Sequence, residues 1–192
     1  MGNFSIKSLW LPALISLGAS AAAALFDFID SLMFADVLFA EDLFDVFFSS
    51  PLAILASLLW VVAWGASIWF LIVLGNWKKA ADANDVPGVN KLWLGNLLII
   101  IGSVVSIIPV IGWILGALVA LAGWIINLLG VLALKKSTTL HAGGVQGMNL
   151  IFIAIILSVA AGVLAVVPVL PGLLSLGAYV LQLLGWKKVA EA

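Results

Sequence analysis

Cysteine and arginine are absent from this chain, histidine and tyrosine occur once each, and charged residues make up only 9% of 192 positions. Without cysteine there is no disulfide, thiolate nucleophile or iron–sulfur cluster. Without arginine there is no bidentate clamp for phosphate or carboxylate. The single histidine, His141 in "STTLHAGG", cannot supply a haem ligand pair or a multi-histidine metal site from one chain. A Ser/His/Asp arrangement would require Asp82 or Asp85 to meet His141 and a serine such as Ser137, and nothing in their spacing points to it. There is no Gly-x-Ser-x-Gly elbow and no phosphate-binding glycine loop. With a net charge of −1 and no basic face, the chain has no nucleic-acid footprint. The expectation is a protein that is not an enzyme and needs no cofactor or metal.

The scarcity of charge has a second consequence. A soluble domain carries about 25% charged residues because water must wet its surface. Here hydrophobic residues reach 65% and mean hydropathy is +1.31, which predicts an all-α integral membrane protein.

A span needs about 20 apolar residues. One uncharged stretch of that order lies between Lys7 and Asp27, and a second helix is expected from Pro51 to Asn76. The charge-free run from Leu92 to Leu134 is roughly twice the length of one span. It is broken at "IPVIG" (Ile108–Gly112), where proline and glycine favour a turn. The run from Met148 to Trp186 has a similar break at "VPVLPG" (Val167–Gly172). Six transmembrane helices are predicted, the last one short, and four spans with two re-entrant pairs is the alternative arrangement.

All eight lysines then fall on one side, while Asp27, Asp30, Asp36, Glu41, Asp42 and Asp45 fall on the other. The positive-inside bias makes the lysine side cytoplasmic, with both termini inside a cell membrane. "LISLGASAAAALFD" (Leu14–Asp27) also offers an Ala-x-Ala cleavage pattern. Removing it would spoil the helix pairing, so an uncleaved first helix is expected.

"LGNWKKA" (Leu74–Ala80), "LGVLALKKS" (Leu129–Ser137) and "LGWKKVA" (Leu184–Ala190) mark a repeat. One membrane domain over 1–192 is thus read as three repeated helical hairpins. Hairpin one covers 6–76 with an acidic insert at 27–48, hairpin two covers 91–134, and hairpin three covers 148–186. Gly112, Gly116, Ala120 and Gly123 form a small-residue stripe for close helix packing. Asn96, Ser103, Ser106, Asn127 and Gln182 are candidates for hydrogen bonds between helices.

The insert places Asp27, Asp30, Glu41, Asp42 and Asp45 on one helical arc. An amphipathic helix on the outer membrane face is expected, with these acids as a partner-docking face rather than a metal site. "DANDVPG" (Asp82–Gly88) lacks the later ligands of a calcium loop and reads as a turn.

Helices two to six hold no Asp, Glu, Lys, Arg or His in their cores, which disfavours ion-coupled transport. The leading expectation is a non-catalytic accessory, structural or scaffold subunit in the lipid bilayer, joined to partner subunits or to copies of itself. The alternative is a passive channel or facilitator for a small solute or cation.

Overall fold

The computed structural model describes residues 4–33, 50–137, 139–164 and 170–192, except for the side chains of 31–33. A 3₁₀ turn at Ile6–Leu9 leads into α1 (Trp10–Met33). Then follow α2 (Pro51–Ala80), α3 (Val86–Val105), α4 (Ile111–Leu134), α5 (Ala142–Val163) and α6 (Leu170–Glu191). Among the described residues there is no strand.

Five helices are long and apolar enough to cross a membrane. The sixth, α6, has the length but not the hydropathy: Pro171, Gln182, Lys187, Lys188 and Glu191 dilute it. Six long helices are thus present where six were expected, five of them apolar enough to span by themselves and the sixth more polar and packed among them. Outward faces carry large apolar side chains, with Val61 71%, Ile72 60% and Ile114 65% exposed. Such exposure is costly in water and natural against lipid tails.

Local chemistry sets the helix ends. Ser50 caps α2 by accepting the Ala53 N–H at 3.0 Å, and Pro51 occupies the first turn, where its missing donor costs nothing. The α3 helix starts at Val86, with Pro87 in its first turn, so Lys91 lies within a helix rather than at the start of one. At the far end, the expected break becomes a tight γ-turn. Val110 takes φ 62° and ψ −74°, and the Ile111 N–H donates to Pro109 O at 2.8 Å. Of the second expected break, residues 167–169 lie outside the described residues, and α6 begins at Leu170. The acidic insert also departs from expectation. Asp27 and Asp30 belong to α1, which continues to Met33 with no proline or glycine between Asp27 and its end. The rest of the amphipathic insert, including Asp36, Glu41, Asp42 and Asp45, lies outside the described residues.

Each helix packs on its neighbour in the chain, and α6 closes back on α1 to complete a ring. Packing is densest within the pairs α3–α4, α5–α6 and α1–α2, and sparsest at the seam between α4 and α5.

Glycines make the densest pair possible. Gly88, Gly95 and Gly102 recur every seven residues on α3, facing Gly130, Gly123 and Gly116 of the antiparallel α4. A Cβ on Gly95 would lie 2.7 Å from Gly123 O, and one on Gly102 would lie 2.7 Å from Gly116 O. In lipid there is little hydrophobic drive between helices, so such backbone approach carries the association. Gly112, Gly116 and Gly123 of the expected stripe all face α3 atoms or the turn that ends it, and Ala120 meets Gly102. Gly147 and Gly185 repeat the device between α5 and α6.

The lysines gather at one end of the ring. Lys78 Nζ sits 5.1 Å from the centre of the Trp93 ring, and Lys135 Nζ 4.5 Å from that of Phe152. Lys188 donates to Gln146 Oε1 at 3.1 Å, and Lys7 shares a cleft with Lys187. Beneath them a continuous apolar core, including Leu9, Leu74, Trp77, Val89, Leu134, Met148 and Val189, closes that end.

Candidate functional site

The inner faces of all six helices surround a cavity of about 340 Å³. Ser16 and Ser20 come from α1, Trp60, Trp64, Ser67 and Phe70 from α2, and Asn96 and Ser103 from α3. Trp124 and Asn127 come from α4, Ile151 and Ile155 from α5, and Tyr179, Gln182 and Trp186 from α6. Among the described residues, no Asp, Glu, Lys, Arg or His lines it. The cavity is therefore polar but uncharged, with a high density of aromatic wall.

Helix geometry explains why these residues meet. Ser16 and Ser20 are four residues apart on α1, as are Asn96 and Ile100 on α3, so each pair shares one face. At the floor, the Phe70 and Trp186 rings meet edge to face with centroids 4.9 Å apart, and this pair belongs to the apolar core at the lysine end.

The polar side chains form defined bonds. Ser67 Oγ donates to Ala63 O at 2.8 Å, which leaves Ser16 as the donor in the 2.7 Å contact with Ser67. Asn96 Nδ2 donates both to Leu92 O at 2.8 Å and to Asn127 Oδ1 at 3.1 Å. These bonds consume both Asn96 N–H groups and leave Asn96 Oδ1 and Asn127 Nδ2 to the cavity. Ser103 and Ser106 turn back to their own helix, onto Ile99 O and Gly102 O, each at 2.9 Å. Of the five residues expected to bond between helices, only Asn96 and Asn127 do so. Gln182 instead faces the cavity. No described side-chain polar atom is both buried and unpartnered.

Asp27 stands at the opposite end of the cavity from the lysines. It lies seven residues, about two turns, beyond Ser20 on the same face of α1. Its Oδ2 accepts the Trp60 Nε1–H at 3.0 Å while the residue stays exposed. Asp30 serves the helix end instead, because its Oδ1 accepts from Ser50 Oγ at 2.5 Å and so braces the capping residue of α2. Of the expected docking face, these two acids are therefore engaged within hairpin one. Glu41, Asp42 and Asp45 lie outside the described residues. A smaller recess of about 290 Å³ shares Trp124 and Tyr179 with the main cavity and continues past Ser158, Ala161, Gly162 and Ser175.

One cluster joins Asp85 and Ser137, whose spacing in the chain gives no reason to expect their meeting, without bringing His141 into a bond with them. Asp85, only 4% exposed, accepts from Ser137 Oγ at 2.7 Å and from Thr139 Oγ1. Ser137 Oγ in turn accepts the Thr139 and Leu140 N–H groups at 3.1 Å. This clasp joins the α2–α3 and α4–α5 connections. Separations of 52 and 54 residues leave no local signal for it. His141 is exposed, immediately before α5.

Taken together, these features define a helical membrane protein whose helices line a partly open chamber of aromatic, hydroxyl and amide side chains, with no charged residue among those described. Comparison with protein-family models, curated proteins and solved structures finds no match for the chain.

Proposed function

We propose that this protein is a passive membrane facilitator that admits a small neutral or cationic solute to its central cavity. The carrying observation is the chamber lined by all six helices with no charged residue on its described wall. A polar wall inside lipid is expensive unless it serves packing or a ligand, and Gln182 makes no bond within the ring. A lining without ionisable side chains other than a tyrosine has no obvious proton relay, which favours passive movement over coupled transport. Anionic solutes are disfavoured because no positive group would meet them after desolvation.

In this reading the lysine end faces the cytoplasm, as the positive-inside bias directs, and both termini lie there. All six helices cross the bilayer, with α6 carried by its neighbours. The three densely packed helix pairs descend from one repeated hairpin, a reading supported by their shared Leu-Gly and Lys-Lys endings. The solute enters from the aspartate end, because apolar packing closes the other.

A second reading, an accessory subunit docked to a partner or to its own copies, is favoured by one observation. The α4–α5 seam is thinly packed and bordered by a recess containing the small residues Ser158, Ala161 and Gly162, the kind of surface a partner helix approaches closely.

The deciding experiment is stopped-flow light scattering of proteoliposomes challenged with glycerol, urea or choline. A flux above that of empty vesicles, changed several-fold by Gln182→Leu, supports the facilitator. Absence of flux for all three solutes, together with stoichiometric co-purification of a partner, replaces it with the accessory subunit.

A further inference from the structure

We infer that the cavity selects an organic monocation, an alkylammonium or quaternary ammonium group, with the aromatic walls as its cage and Asp27 as its counter-charge. The inference rests on the reading of the cavity as a solute site and specifies what that solute is.

Three observations converge on it. Firstly, the described lining carries no charge of either sign, yet a carboxylate is tied directly to it: Trp60 lines the chamber and donates its indole N–H to Asp27 at 3.0 Å. A cation is thus met at the mouth by one opposite charge, whereas an anion is repelled there and finds no partner deeper in. Asp27 is the carboxylate bonded to a residue of the chamber wall, whereas Asp30, the next acid on the helix, is bonded to Ser50 at the start of α2.

Secondly, the wall is aromatic where a cage requires it to be. Trp60, Trp64, Trp124 and Tyr179 surround the chamber above the Phe70–Trp186 floor. Indole faces attract ammonium groups through the ring quadrupole, and more strongly once water is excluded. The Asp27 carboxylate at the Trp60 N–H polarises that ring and increases its negative face.

Thirdly, the oxygens do not suit a bare metal ion. Such ions take several converging oxygen ligands. Here the described lining offers hydroxyl and amide oxygens dispersed over five helices, with no carboxylate among them to neutralise a metal's charge. Among the described residues, no three His, Cys, Asp or Glu side chains gather to hold a metal. A volume of about 340 Å³ instead falls in the range of small-molecule pockets, about 300–1,000 Å³.

The test uses the full chain in maltoside micelles, which carry no ammonium headgroups, at constant ionic strength. Choline and tetraethylammonium are titrated against dimethylbutanol, in which carbon replaces the ammonium nitrogen of choline, and tryptophan fluorescence is read. A saturable response is expected for at least one cation, with binding about ten-fold or more weaker for the uncharged isostere, as a charge-dependent cage requires. Asp27→Asn should weaken cation binding by a similar factor and leave the isostere unchanged, with Asp27→Glu restoring part of the loss. Asparagine retains an oxygen for the Trp60 N–H, so the fold survives the change. Equal binding of isostere and cation, or an unaffected Asp27→Asn protein, overturns the monocation while leaving the cavity reading in place. No saturable response to any probe, combined with solute flux indifferent to Gln182→Leu, overturns both.

Discussion

Replacing Gly95 by alanine tests the central packing argument with a single methyl group. The new Cβ would lie 2.7 Å from both Gly123 O and Asn127 N, and 2.8 Å from Asn127 Cγ. Two of those three atoms are backbone, so no side-chain rotation relieves the clash. Restoring ordinary contact at 3.4 Å requires α3 and α4 to part by roughly 0.7 Å. A gap of about 0.5–1 Å forfeits a quarter to a half of each affected contact, and overpacking of this kind costs about 1–3 kcal/mol. The Asn96–Asn127 bond of 3.1 Å stretches as well, and such a bond in a membrane bundle contributes about 0.6 kcal/mol. Against this, alanine is favoured over glycine within a helix by about 1 kcal/mol. The expected net loss is about 1–2 kcal/mol. Gly65→Ala is the control: that glycine is exposed and a Cβ there meets nothing within 4 Å. It should gain up to about 1 kcal/mol, so the two identical chemical changes should have opposite signs. Reversible unfolding in mixed dodecylmaltoside and SDS micelles, followed by tryptophan fluorescence, measures both. Because Gly95 and Gly123 face each other, adding Gly123→Ala to Gly95→Ala should cost less than the two single losses combined. If Gly95→Ala proves as stable as Gly65→Ala, the glycine-mediated approach of α3 and α4 is wrong.

Other perturbations probe separate parts of the molecule. Asp85→Ala removes the acceptor for Ser137 and Thr139 and should cost about 2 kcal/mol, as for hydrogen bonds to a charged group. Tryptic cleavage after Lys135 or Lys136 should accelerate, and unchanged cleavage would remove the clasp from consideration. Val110→Gly should raise stability by about 1 kcal/mol, since a β-branched residue at φ 62° is strained and glycine is not. A lower unfolding midpoint would contradict that strain. Ser16→Ala loses its bond to Ser67 and should cost about 0.6 kcal/mol, a small shift in the same unfolding assay. A loss several times larger would mean that the serine pair does more than tie α1 to α2.

Much of the helical layout is legible in the chain. The break expected at Ile108–Gly112 coincides with the γ-turn, because proline, glycine and an uncharged run of double length leave few other solutions. The stripe is visible as Gly112, Gly116 and Ala120 at four-residue spacing, with Gly123 one turn further. Its counterpart on α3 is not, because Gly88, Gly95 and Gly102 repeat at seven residues, and only the antiparallel pairing reveals the match with Gly130, Gly123 and Gly116. Asp27 reads as part of a surface insert because carboxylates near an apolar run suggest its end. In the structure α1 continues through it to Met33, and the carboxylate accepts the Trp60 indole N–H from the neighbouring helix.

Hydropathy, helix-breaking residues and charge all act along the chain. They alone establish that this is a helical membrane protein, approximately where its helices begin and end, and that its lysines lie near helix ends. The closure of α6 on α1, and the meeting of Ser16, Ser67, Asn96, Asn127 and Gln182 around one chamber, come only with the tertiary structure. The reason is physical: in lipid, leucine and isoleucine are equally at home on inner and outer faces, so apolar periodicity does not tell the two apart. What points each helix inward is the contact of small residues and the pairing of a few polar groups, and both depend on partners from distant parts of the chain.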